Sequence, residues 1–172
     1  MNNALMFSKA SDEWRTPLDL FQAVSAEFVF DHDAAGTAEN YLVTRHSPGR
    51  ADPYFGLDQA DPRWRDAIAV EDWSACGRTF WLNPAYSRCR DFIAKAAHEA
   101  RTHGCTVVCL VPSRTDTQWW HAYVWDRTHH RPWPGVEIRF LKGRLKFGMP
   151  GATTVNSAPF PSVLIIFRPL SA

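Results

Sequence analysis

An α/β fold with a mixed sheet is what this sequence predicts, and three observations carry that expectation. First, the apolar run Thr79-Phe80-Trp81-Leu82 is followed by a helical pattern over 87–103 and then by a second, unbroken apolar run over 105–111. An unbroken run of that length suits a strand covered on both faces, with the helix as the crossover between neighbours. Second, the stretches near 136–141, around 145–147 and at 163–167 are strand-like with no helical pattern between them, as at the antiparallel end of a mixed sheet. Third, 172 residues at 45% hydrophobic and 22% charged can bury one core and not comfortably two. Residues 1–172 are therefore read as a single domain, with 1–10 open to disorder.

The elements follow in order. Thr16 and Pro17 form an N-cap and first-turn pair, and Leu18, Phe21 and Val24 or Ser25 follow at helical spacing, which predicts a helix to about Glu27. Phe28-Val29-Phe30 reads as a short strand. It ends at Asp31-His32-Asp33-Ala34-Ala35-Gly36, where small residues let a ligand approach the backbone closely. Residues 43–66 are rich in Pro, Asp, Gly and Arg without periodicity and read as a long irregular connection. The helix over 87–103 carries Phe92, Ile93, Ala96, Ala97 and Ala100 on one side, and Gly104 is placed to end it. Thr115 or Asp116 is placed to cap a further helix containing Trp119, Trp120, Tyr123 and Val124.

A formal net charge of +1 hides an asymmetry: residues 1–82 hold 7 Lys+Arg against 13 Asp+Glu (−6), residues 83–172 hold 12 against 5 (+7). A basic face in the second half suits phosphates, with Arg88, Arg90, Arg114, Arg139, Lys142, Arg144 and Lys146 as candidates. Any one of them alone reads equally well as a solvated surface charge; the clustering points to nucleic acid. No apolar run is long enough to span a bilayer and the first residues lack a signal-peptide core, so a cytoplasmic protein is expected. Cys76, Cys89, Cys105 and Cys109 lie in apolar contexts without metal-ligand spacing and read as reduced structural thiols, with no metal site.

The most informative residues are Asn83-Pro84-Ala85-Tyr86, at the end of the 79–82 strand. The Asn83 side-chain oxygen and the Pro84 carbonyl can accept both hydrogens of an exposed amine, and the Tyr86 ring can stack on an aromatic base. Such contacts hold the nitrogen and direct its lone pair at an electrophile. The ordinary reading is a strand-to-turn junction with a buried tyrosine.

WLNPAYS resembles the [DNS]-P-P-[YFW] motif of amino-methyltransferases that use S-adenosylmethionine, with Ala85 in place of the second proline, whose main service is to stiffen the turn. Six blocks extend the resemblance nearly end to end. They are Asp12-Glu13-Trp14-Arg15-Thr16-Pro17, FDHDAAGTAEN from Phe30, Asp66-Ala67-Ile68 with Trp73, WLNPAYS, LVPSRTDTQWW from Leu110, and FLKGRLKF from Phe140. In that order they resemble the phage and prophage DNA N-6-adenine methyltransferases, the phage Dam family.

The resemblance implies a single Rossmann-like S-adenosylmethionine-dependent methyltransferase domain with a mixed sheet, in which ligands gather at the carboxyl ends of the strands. FDHDAAGTAEN then takes the cofactor role. Asp33 balances the cationic part of S-adenosylmethionine, the backbone at Ala34 and Ala35 approaches the methionine moiety, and Trp14 lies against a ring or the sulfonium. By the same resemblance Thr16, Pro17 and Asn40 belong to the pocket and Asp66 contacts the ribose or adenosine end. Asp33 reads alternatively as a turn-former, Asp66 as a helix N-cap and Trp14 as core packing.

The implied reaction is methyl transfer to the exocyclic amine of an adenine flipped out of the duplex, with Asn83, Pro84, Ala85 and Tyr86 as the catalytic turn and DNA as partner. Arg114, Thr115, Asp116 and Thr117 follow a buried strand onto the same rim and are assigned to substrate-strand contact or active-site support, against simple helix capping. Arg88, Lys142, Arg144 and Lys146 are the basic candidates for DNA. The alternatives are an amino-methyltransferase acting on RNA or protein glutamine, and a catalytically inactive DNA-binding phage protein.

Overall fold

The computed structural model describes residues 15–44, 53–147 and 157–170. Its strands are β1 (His32–Asp33), β2 (Thr79–Leu82), β3 (Thr106–Pro112), β4 (Trp125–Asp126), β5 (Arg131–Pro132), β6 (Val136–Phe140) and β7 (Ser162–Phe167). Two α-helices accompany them, α1 (Leu18–Ser25) and α2 (Cys89–His103). The main sheet has the order β1-β2-β3-β7-β6, parallel from β1 to β3 and antiparallel at β3–β7 and β7–β6.

Side chains alternate across this sheet with the period of two that extended backbone imposes. Phe80, Leu82, Val107, Cys109, Val111, Val163, Ile165 and Phe167 face one cluster, which α2 covers with Phe92, Ile93, Ala96, Ala97 and Ala100. Trp81, Val108, Leu110, Leu164 and Ile166 face the other, where Phe21 and Val24 of α1 pack with Phe28 and Phe30. The central strands are apolar on both faces because a helix lies on each. α2 stops where expected: Gly104 adopts φ +69°, the left-handed conformation that a glycine enters without a Cβ penalty.

Several expectations need correction. Phe28-Val29-Phe30 is not a strand; the paired piece is His32–Asp33, since β2 begins only at Thr79 and offers nothing to pair with earlier. Phe28 and Phe30 instead pack their rings, Phe30 on Trp81 at 5.6 Å. Pro17, at φ −57° and ψ 130°, is itself the cap of α1, with no side-chain capping bond from Thr16, and the helix ends at Ser25. Residues 145–147 make one isolated bridge, Lys146 to Ser157, rather than a strand.

The helix with the tryptophans is a π-helical turn, Trp120–Val124, which neither Thr115 nor Asp116 caps; Thr117 folds its hydroxyl back on the Arg114 carbonyl at 2.8 Å. The β4–β5 hairpin after it was not legible in the sequence pattern. Part of the irregular 43–66 connection is anchored: Asp33 N donates to Pro53 O at 2.8 Å, Phe55 N donates to Asp33 O at 2.9 Å, and Phe55 is 1% exposed.

Strand direction fixes which loops share a rim. The carboxyl ends of β1, β2 and β3 lie together, and β7, running the opposite way, begins there at Ser162 opposite Pro112. β6 therefore ends on that rim at Phe140, and Lys142, Arg144 and Lys146 follow from it. The β4–β5 hairpin precedes the other end of β6, where Arg168 N donates to Gly135 O at 2.7 Å. Among the described residues no helix is long and apolar enough to cross a membrane.

Candidate active site

Two turns meet at the carboxyl ends of β1 and β2. The bond from Ala34 N to Trp81 O, 2.8 Å, continues the parallel pairing one residue past Asp33 and holds the turns side by side. The first turn is organised by Asp33: Oδ1 accepts from Ala35 N at 3.1 Å and Oδ2 from Leu42 N at 3.2 Å, so one carboxylate closes the 34–42 loop. Within it Thr37 N donates to Asn40 Oδ1 at 2.7 Å and Ala38 N to Asp58 Oδ2 at 2.6 Å. Gly36 lies under the stacked rings of Tyr41 and Tyr54, and a Cβ there would stand 2.8 Å from that of Tyr54. Its small size serves packing rather than ligand approach.

Asp33 is 4% exposed, and burial pushes its carboxyl up to about 6 against the opposing pull of the two backbone donors. Among the described residues no cation pairs with it. A desolvated carboxylate with amide donors and no counter-ion is an acceptor suited to a positively charged ligand.

On the second turn, Asn83 donates through Nδ2 to Thr16 Oγ1 at 3.0 Å. That bond fixes the amide's orientation and leaves the oxygen in the acceptor role. Ala85 sits at φ −53° and ψ 127°, inside the range a proline ring enforces, so the turn has the shape a second proline would give it. Pro84 is buried, and Tyr86 packs its ring edge-on against Phe160 at 5.1 Å and Phe147 at 6.4 Å.

The cleft between the turns is lined by Arg15, Thr16, Asp33, Ala35, Thr37, Asn40, Leu42, Trp81, Asn83 and Ala85. Of the residues singled out in the sequence, the fold thus gathers Thr16, Asp33, Ala35, Asn40, Asn83 and Ala85. Ala34 is fully buried, and Pro17, Pro84 and Tyr86 adjoin lining residues in the chain without lining the cleft themselves. Trp14 lies outside the described residues. Asp66 does not line the cleft: it accepts from Ile68 N at 3.1 Å and pairs with Arg88 at 3.2 Å, and it heads a turn rather than the helix that the N-cap alternative expected. Arg15, Thr37, Leu42 and Trp81 were missed. Arg15 stands between two residues that were chosen, and Thr37 and Leu42 flank Asn40; the available signal was adjacency.

The basic candidates divide. Arg139 pairs with Glu27 and Glu137 and lies over the Phe28 ring at 5.6 Å, so its charge is spent inside the protein. Arg88 is committed to Asp66 and to the Phe92 ring. Arg114, Thr115 and Asp116 are exposed beyond the end of β3, with Thr117 partly so, and Lys142, Arg144 and Lys146 are exposed beyond the end of β6. No ion pair holds Lys142, Arg144 or Lys146 among the described residues. The four cysteines are free and buried; burial pushes the Cys89 and Cys105 thiols up to about 12.

Compared with known sequences, residues 63–172 match the model of one family, described as DNA N-6-adenine-methyltransferase (Dam). No curated protein and no solved structure matches the chain. The matched part holds the Asn83 turn and the basic rim, while the Asp33 loop and Thr16 precede it.

Proposed function

The chain belongs to the DNA N-6-adenine-methyltransferase (Dam) family, and from that premise we propose that it methylates the exocyclic amine of adenine in DNA with S-adenosylmethionine as donor, on a Rossmann-like domain. The observation that carries the reading is that the buried Asp33 and the Asn83 turn line one cleft. S-adenosylmethionine supplies a methyl group on a cationic sulfonium together with a zwitterionic amino-acid tail. Asp33 answers the positive charge, the Ala35 backbone admits close approach, and Thr37 and Asn40 offer polar contacts along the same wall.

On the other wall, Asn83 Oδ1 and the Pro84 carbonyl accept the two hydrogens of the adenine amine. Binding both hydrogens favours a pyramidal nitrogen, whose lone pair is then aimed rather than delocalised into the ring. Tyr86, held in one orientation by Phe147 and Phe160, clamps the base. Holding the reacting groups in one geometry is the principal contribution to rate. Asn83 is neutral and a weak base, so the surplus proton leaves to water. An adenine inside a duplex cannot reach this cleft, and the base is extruded into it.

The test is mass-spectrometric detection of N-6-methyladenine in DNA incubated with the protein and labelled S-adenosylmethionine. Label in adenine supports the reading. Label found only in RNA or protein moves the substrate class, and DNA binding without transfer points to an inactive binder. The proline-like conformation of Ala85 argues against the last outcome, because the departure from the usual motif leaves the turn's shape intact.

A further inference from the structure

At the far end of α2 from the cleft, His98, Glu99 and His103 bring one ligand-type atom each to within 4.8 Å of one another. At a rise of about 1.5 Å per residue, His98 stands about 14 Å along the axis from the start of the helix. The methyl-transfer chemistry has no use for these side chains.

Both histidines are already oriented from behind. His103 Nδ1 lies 3.3 Å from Asp72 Oδ1, and His98 Nδ1 lies 3.4 Å from Thr102 Oγ1. An imidazole that donates through Nδ1 carries its lone pair on Nε2, and an oxygen partner behind the ring is the usual arrangement for a ligating histidine. The two rings stand edge to face at 5.5 Å.

Glu99 supplies the negative charge from a fully buried position, 0% exposed. Its Oε2 accepts from Trp73 N at 2.9 Å, and its Oε1 faces Lys95 Nζ at 2.6 Å. Lys95 has other seats: it donates to Glu71 O at 3.2 Å and lies 5.9 Å from the Trp73 ring. It can therefore withdraw from Oε1 without being stranded.

We propose that His98, Glu99 and His103, all on α2, form a binding site for a divalent transition ion of the zinc class, with the turn at Asp72 and Trp73 supporting two of the three ligands from behind. Two imidazoles and one carboxylate are a borderline donor set that selects zinc, cobalt or copper over magnesium or calcium. Bonds of about 2.0–2.2 Å put ligand atoms roughly 3.3–3.5 Å apart, so a pair at the 4.8 Å limit would close by about 1.4 Å. His98 is exposed, and its side of the site leaves room for water to complete the coordination.

Cobalt(II) titration of the chelator-treated full chain, followed by visible d–d absorption with zinc as competitor, tests this directly. One equivalent should bind, zinc should displace it, and either ion should raise the melting temperature. His98→Ala and His103→Ala should each weaken binding at least tenfold, within the range that loss of a metal contact or its support produces. His98 is exposed, so its variant keeps the fold, which circular dichroism verifies. A paired His129→Ala/His130→Ala variant, altering the exposed histidines of the β4–β5 hairpin, should bind as the wild type does. No cobalt spectrum in the wild type, or one that survives both single substitutions, overturns the site.

Discussion

Asn83 is tied to Thr16 across 67 positions of sequence, its Nδ2 donating to the threonine Oγ1 at 3.0 Å. The bond joins the segment ahead of α1 to the turn after β2, and both residues line the cleft. The bond favours one orientation of the side-chain amide, with nitrogen toward Thr16 and oxygen as the acceptor. The role proposed for Asn83 depends on that orientation.

Thr16→Val keeps the shape of the side chain and removes the acceptor. Methyl transfer should fall roughly tenfold to a hundredfold, the usual cost of a misplaced reacting group, with a small effect on S-adenosylhomocysteine affinity. Asn83→Ala should cost on the order of a hundredfold or more, the effect of losing a transition-state hydrogen bond. Turnover and product-analogue binding measured separately distinguish the two contributions. Wild-type turnover in Thr16→Val would show that the tie serves only the fold.

Asp33 makes the cleft sensitive to pH. Its carboxyl is raised to about 6 by burial, above its ordinary value of 3.8, so the folded state holds the proton more tightly than the unfolded chain does. The contribution to stability is then fully present below about pH 4 and is lost as pH rises through about 6, by at most about 3 kcal/mol. Ligand binding runs the other way: a cationic ligand needs the ionised form, and affinity for S-adenosylmethionine should climb between about pH 5 and pH 7. Asp33→Asn should flatten both profiles. Calorimetry and thermal melts across that range are decisive, and a wild-type binding profile indifferent to pH would return Asp33 to loop closure alone.

Much of this arrangement was legible because local pattern and tertiary packing agree. The 79–82 strand, α2 with its Gly104 stop, and β3 have both the hydrophobic pattern and the partners that pattern demands. The Phe28-Val29-Phe30 strand was not, because an apolar triplet states only that it is buried. Its neighbours decide whether it pairs, and β2 starts too late. Asp66 shows the same limit in the site. One residue type caps turns, pairs with arginine and binds ligands, and only the position of Arg88 and Ile68 N separates these roles. Arg15 was hidden for the opposite reason: a lone arginine beside a tryptophan carries no pattern, and the cleft exists only once β1, β2 and the segment ahead of α1 are assembled.

Arg15 should recognise the carboxylate of the amino-acid tail. It lines the same cleft as Asp33, and its Nε is buried without a hydrogen-bond partner among the described residues. One cation and one anion lining one cleft match a zwitterion. Arg15→Gln should weaken S-adenosylhomocysteine roughly tenfold to a hundredfold, the range of a charge-assisted hydrogen bond, while leaving methylthioadenosine, which lacks the amino acid, unaffected. Equal losses for both ligands would assign Arg15 to the shape of the cleft.

The basic rim makes its own prediction, and Arg139 is the internal control. Arg144 and Lys146 are exposed on the rim shared with the Asn83 turn, whereas Arg139 is bound to Glu27 and Glu137. If the first two neutralise phosphates, Arg144→Ala with Lys146→Ala should flatten the slope of log DNA affinity against log salt by roughly one to two units, at about 0.9 per contact. Arg139→Ala should lower the melting temperature and leave that slope alone, since it strands two carboxylates and frees no phosphate contact. The buried Phe147 beside Lys146 also braces Tyr86, so the paired variant must be checked for stability. An unchanged slope with a lower melting temperature would place the two side chains in support of the catalytic turn, and a flattened slope with intact stability places them on the DNA.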